Sequence, residues 1–146
     1  MPWLSALRLY LSFTVVANLV WDVAQLPLYT LWRTGSVREI AIAVAHCTAG
    51  DLVIAASAVL MALALAGHRD WPLRRFQPVM ALTLAIGLAY TGYSEWLNTA
   101  VRRSWAYSEL MPIVPVLNLG LSPLLQWVVI PMAALAAARG LATGSR

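Results

Sequence analysis

The chain has 146 residues, of which 61% are apolar and 11% charged, and its mean hydropathy is +0.73. A soluble domain carries roughly a quarter of its residues as charges, so ten basic and six acidic residues cannot coat this much apolar sequence, which excludes a cytosolic enzyme. The formal charge of +4 comes from arginines scattered between apolar runs, without a lysine, which excludes a nucleic-acid partner bound through a continuous phosphate-tracking face.

A hydrocarbon core about 30 Å thick takes roughly 20 helical residues, and four runs of that size lie in the chain. The first covers 9–32 and stops before Arg33. Its apolar character continues past Val15 and Ala17, the small residues where a leader would be cut, so it predicts a retained span, kinked at Pro27. Thr14, Asn18, Asp22, Gln25 and Tyr29 recur along it every three or four residues, which puts them on one face. The second run, 40–66, lies between Arg38 and Arg69 and carries His46, Cys47, Thr48, Gly50 and Asp51. Ala41, Ala45 and Ala49 beside them form a small-residue ridge suited to close approach by a neighbouring backbone.

The third run, 78–100, repeats the pattern of the first: Thr83, Gly87, Thr91, Glu95, Asn98 and Arg102 share one face. Ser104 to Gly120 is too apolar for a free aqueous loop and too broken by Pro112 and Pro115 to span. It predicts a lid, with Trp105 and Tyr107 over whatever lies beneath. The fourth run, 122–138, opens with Ser122 as N-cap and Pro123 in the first turn, offers Gln126 inward, is kinked at Pro131, and ends at Arg139 and Gly140.

These segments predict a single domain over 1–146 of all-α class: an antiparallel bundle of four transmembrane helices with a short interfacial lid. With both termini on one side, Arg8, Arg69, Arg74, Arg75, Arg139 and Arg146 outnumber Arg33, Arg38, Arg102 and Arg103 opposite, which predicts cytoplasmic termini in an inner membrane. Trp3 and Trp71 would then mark one interface, and Trp32 and Trp105 the other.

The depths of the polar residues carry the functional reading. At 1.5 Å per residue Asp22 lies about 16 Å from Arg33, His46 about 12 Å and Asp51 about 20 Å from Arg38, and Glu95 about 10 Å from Arg102. In an antiparallel bundle, Asp22, Gln25, His46, Asp51, Glu95, Asn98 and Gln126 therefore share one half of the bilayer. Charges left in lipid are costly, so these groups are expected to face one another in an acidic chamber in the outer half. Such a chamber suits a small polar or cationic ligand, a metal ion or a lipid headgroup, with proton transfer through Asp22, His46 and Glu95; an enzyme acting on a lipophilic substrate is one version of it. His46, Asp51 and Glu95 are metal-donor types but follow no ligand-spacing motif, and neither a catalytic residue nor a cofactor is specified. The rival reading is an accessory subunit, whose polar stripes pair with helices of a larger membrane complex or of a second copy. Transport is disfavoured because the other half of the bundle offers no polar path.

The run Tyr90 to Trp127, YTGYSEWLNTAVRRSWAYSELMPIVPVLNLGLSPLLQW, resembles the C-terminal half of a group of small four-span bacterial membrane proteins, and AHCTAGD extends the likeness. The resemblance implies a bacterial inner membrane and transfers no catalytic role.

Overall fold

The computed structural model describes residues 2–144, and Arg146, used above in orienting the chain, lies outside them. Among the described residues the long helices are α1 (Pro2–Ala24), α3 (Val37–Ala66), α4 (Phe76–Trp96) and α5 (Leu121–Gly144). A 3-10 turn at Leu26–Leu28 and the short α2 (Leu31–Thr34) connect α1 to α3, and α4 continues into a π-helical turn at Leu97–Val101. Strands β1 (Ile113–Val114) and β2 (Leu119–Gly120) pair antiparallel before α5. Among the described residues three helices, α1, α3 and α5, are long and apolar enough to cross a membrane. The shorter α4 has 21 residues and is made more polar by Gln77, Thr83, Thr91, Ser94 and Glu95.

Local chemistry sets the ends. Pro27 has no amide proton and its ring conflicts with the carbonyl four residues back, so α1 stops at Ala24. The single helix expected over 9–32 is broken there rather than kinked. Downstream, α3 begins at Val37, three residues before the expected start, because Ser36 and Glu39 form a reciprocal capping box: the Glu39 amide donates to Ser36 Oγ and the Ser36 amide to Glu39 Oε2, at 3.3 and 2.7 Å. The last helix begins at Leu121 and runs through Pro131 and past Gly140 to Gly144, beyond the expected end at 138.

The long helices close a ring in which α1 and α4 each pack on both α3 and α5. Their order is antiparallel. Ala6 from the start of α1, Ala62 from the end of α3, Val79 from the start of α4 and Ala138 from the end of α5 meet in one apolar core. Small side chains let the backbones approach there: Ala58, Ala62, Ala134 and Ala138 are wholly buried. The ridge expected to do this, Ala41, Ala45 and Ala49, faces outward and is exposed. Trp71, expected at an interface, is also fully buried in this core, with its indole N–H unpartnered.

Candidate ligand chamber

At the other end of the bundle the packing changes. In α3, Thr48 is the only residue buried before Ala55, and between this half of α3 and the second half of α4 lies a cavity of about 670 Å3. That volume falls within the roughly 300–1,000 Å3 of small-molecule sites. Asp22, Gln25, His46, Asp51, Glu95, Asn98 and Gln126 all line it, with Trp105. The residues expected to gather in one half of the bundle therefore do so, although their roles differ.

Gln126 is the hub. It is 3% exposed, and its Nε2 donates to Asn18 Oδ1 at 2.7 Å, Asp22 Oδ1 at 3.0 Å and Asp51 Oδ2 at 3.1 Å, so a side chain of α5 ties α1 to α3 across the ring. A carboxamide nitrogen carries two protons, so Gln126 serves its three acceptors two at a time. Gln25 Nε2 donates to Asp22 Oδ1 at 3.2 Å and to Gln126 Oε1 at 3.3 Å, while Gln25 Oε1 accepts from Ser122 Oγ at 2.9 Å. Ser122 in turn accepts from the Trp21 indole at 3.1 Å. The Ser122 hydroxyl, expected to cap α5, is thus part of the chamber's network. Thr48 Oγ1 donates to Asp22 Oδ2 at 2.6 Å, so both oxygens of Asp22 accept from neutral donors.

Glu95 forms a second acidic centre. It is 7% exposed and accepts from the Tyr107 hydroxyl at 2.5 Å. Burial, and then the neighbouring Glu95 carboxyl, hold the Tyr107 phenol well above its ordinary value, which keeps it a donor. The Trp105 indole stands beside the same carboxyl without closing a hydrogen bond. Gly120 makes the approach of Tyr107 possible, since a Cβ there would stand 3.0 Å from the Tyr107 ring and 2.9 Å from the Met111 sulfur.

The lid is tied to the break after α1. Tyr29 and Tyr107 form a backbone bridge, with ring centroids 5.6 Å apart. The Thr30 amide donates to the Ala106 carbonyl at 3.0 Å, the Ser108 amide to that of Leu28 at 2.9 Å, and the Ser108 hydroxyl to that of Pro27 at 2.8 Å. An exposed ion pair, Arg33 with Glu109 at 2.7 Å, adds to them. Its own backbone amide and then Arg33 hold Glu109 below the usual glutamate range.

The partners of the six acids divide them sharply. Glu39 caps a helix, Asp70 faces His68 Nδ1 at 3.4 Å, and Glu109 pairs with Arg33. Among the described residues, Asp22, Asp51 and Glu95 have no arginine at ion-pair distance. Arg102, expected on the same helix face as Glu95, does not pair with it. The π turn at Leu97–Val101 adds residues to the helical repeat, so the buried stripe Thr83, Gly87, Thr91, Glu95 ends there; Arg102 is exposed, and Asn98 donates to its own helix, at 2.8 Å to the Ser94 carbonyl.

His46 departs furthest from expectation. It lies two positions, about 200°, around the helix from Thr48, and with Thr48 facing Asp22 the imidazole falls on the exposed flank of α3. It forms no hydrogen bond among the described residues, and Cys47 beside it is also exposed. No group of three or more His, Cys, Asp or Glu side chains that could hold a metal ion occurs among the described residues, so His46, Asp51 and Glu95 do not assemble as a metal centre.

Several members of the site were not singled out from the sequence. Trp127 lines the cavity on α5 and packs against Gly87 of α4, where a Cβ would collide with the indole ring. Gly87 lay in plain view on the α4 stripe, but a glycine does not announce which ring it admits. Thr48 and Ser122 are hydroxyls whose partners lie 26 and 97 residues away, beyond the reach of local periodicity.

No family model, curated protein or solved structure matches this chain, so the likeness of its second half to small four-span bacterial membrane proteins supports no family assignment.

Proposed function

We propose that the protein is a multi-pass membrane protein, with α4 as its fourth crossing helix, and that it acts as a binding chamber for a small polar or cationic ligand in the outer half of the bilayer. The arginine distribution favours cytoplasmic termini, and the likeness of the second half favours a bacterial inner membrane. Asp22, Asp51 and Glu95 supply the negative field, Gln25 and Gln126 position the first two, and Trp105 and Tyr107 close the chamber from above. Asn98 and His46 stand at its margin.

One observation carries this reading: three carboxyl groups line a single cavity and, among the described residues, none of them has an arginine at ion-pair distance, Arg102 in the same lining included. An uncompensated buried charge is strongly unfavourable, and a bound cation offsets that cost. The rival accessory-subunit reading draws no support from the polar stripes, because Asn18, Asp22 and Gln126 already bond to one another.

Titration of the protein in lipid nanodiscs with tetramethylammonium, followed by tryptophan fluorescence from Trp105 and Trp127, tests the reading. Saturable binding is expected, weakened at least tenfold when Asp22→Asn, Asp51→Asn and Glu95→Gln are combined. Absence of saturable binding, or equal binding by the folded triple variant, would overturn it.

A further inference from the structure

The direction in which the cavity opens points to the kind of cation it takes. Of the lining residues that are exposed, all but Arg102 belong to α3 or α4. The lining contributed by α1 and α5 is buried or half-buried, and the top is covered by the tethered lid. The open side is therefore the flank between α3 and α4, which in a membrane faces acyl chains rather than water.

Along this flank the chemistry changes in one direction. The carboxyls of Asp22, Asp51 and Glu95 gather at one end, and from Asp51 the α3 lining continues through Val53, Ile54 and Met61, a distance of about 15 Å at the helical rise. Ile86 faces them from α4. Aromatic rings stand near the acidic end, Tyr29, Tyr90, Trp105 and Trp127, and rings of this kind attract an alkylammonium through their faces. A second observation is independent of the acids. Thr91, 6% exposed, lines the cavity with its hydroxyl unpartnered, an exception to the rule that buried polar atoms find a hydrogen-bond partner.

We infer that the chamber takes an amphiphilic organic cation, an ammonium head on an apolar chain, admitted sideways from the bilayer between α3 and α4. The head lies among Asp22, Asp51 and Glu95, and the chain follows the apolar slot toward Met61. This inference rests on the chamber reading above and specifies its occupant; a soluble cation would need neither a flank open to lipid nor an apolar extension.

Three probes separate the possibilities in phosphatidylcholine nanodiscs, with empty discs correcting for partition: dodecyltrimethylammonium, tetramethylammonium and dodecanoate. The dodecyl cation is expected to bind at least tenfold more tightly than tetramethylammonium, and dodecanoate not to saturate. Ser57→Phe, at an exposed slot position on α3, is expected to weaken the dodecyl cation at least tenfold more than tetramethylammonium. Gly50→Phe provides a second block where an added Cβ meets nothing within 4 Å. Circular dichroism and monodisperse elution confirm that each variant is folded. Equal affinity for the two cations, equal binding of dodecanoate, or indifference of the dodecyl cation to both blocks overturns the amphiphile while leaving the chamber standing. Failure of both cations to respond to Asp51→Asn and Glu95→Gln overturns both readings.

Discussion

The two halves of this bundle are built on the same helices and solve opposite problems. In the apolar half, Ala6, Ala62, Ala134 and Ala138 let the backbones close on one another with almost nothing left accessible. In the polar half, Gln126, Asp22, Asp51 and Glu95 need partners, and satisfying them holds the helices around a cavity. Between the two, Trp127 of α5 rests on Gly87 of α4. Close packing and an open chamber thus come from one architecture by changing side-chain size and polarity along it. The apolar half is not free of cost, since the Tyr10 and Thr14 hydroxyls are buried there without partners. Substitutions in the apolar half should therefore move stability alone, whereas those in the polar half should move stability and binding separately.

The largest effect is expected at Gln126. Gln126→Leu removes the donor shared by Asn18, Asp22 and Asp51 and leaves buried acceptors unsatisfied, at a cost of about 1–3 kcal/mol each and more for a charged group. It should lower the melting midpoint in mild detergent more than any other single change in the chamber and abolish cation binding. A Gln126→Leu protein as stable as the parent would show that the network does not hold this half together.

Gly87→Ala comes next. The added methyl must displace the Trp127 ring, and overpacking of this kind costs about 1–3 kcal/mol. Because Trp127 also lines the chamber, its fluorescence should respond to the substitution, and tetramethylammonium affinity should fall with it. In the apolar half, Ala62→Leu meets a comparable penalty, yet ligand affinity should stay within twofold among molecules that remain folded. Equal loss of affinity in both variants would mean that the halves are not separable.

How much of this contrast was legible in the sequence depends on the range of the forces involved. The stripes Asn18, Asp22, Gln25 and Thr83, Gly87, Thr91, Glu95 were readable because helical periodicity is local and lipid penalises any polar face left outward. Positions fixed by distant partners were not. His46 and Asp51 could not both be placed without knowing that Thr48 meets Asp22, and the loss of Arg102 from the α4 stripe depends on a π turn that its apolar pattern does not reveal. The lid was legible as a covering segment from Trp105, Tyr107 and its prolines. Its construction was not, because the strands are only two residues each and the Tyr29–Tyr107 bridge joins residues far apart in the chain. Pro27 signalled a disturbance whose outcome, a break, depends on the lid strapping the freed carbonyls of Pro27 and Leu28.

A smaller effect is expected in the lid itself. Val116 is 96% exposed and has a φ of 73°, a left-handed conformation that costs a residue with a Cβ about 1–2 kcal/mol and a β-branched one no less. Val116→Gly removes that strain at a site without packing to lose, so the hairpin should become more stable by up to about 1 kcal/mol, read as slower amide exchange in Ile113–Val114 and Leu119–Gly120. Faster exchange would mean that the strain is offset by contacts of the valine.

The smallest effect belongs to the exposed tether. Glu109 is held below its usual range by its own backbone amide and by Arg33, so its folded state favours the ionised form. The tether is therefore complete above the ordinary glutamate value and is lost as pH falls through the lower, folded one. Acrylamide quenching of Trp105 should rise slightly below about pH 4 in the parent, while in Glu109→Gln the same rise should already be present at neutral pH. Other carboxyls titrate in both proteins, and the difference between their curves isolates Glu109. A small difference assigns lid closure to the buried bonds from Ser108 and Tyr107; a large one would make the ion pair, despite its exposure to solvent screening, the principal latch over the chamber.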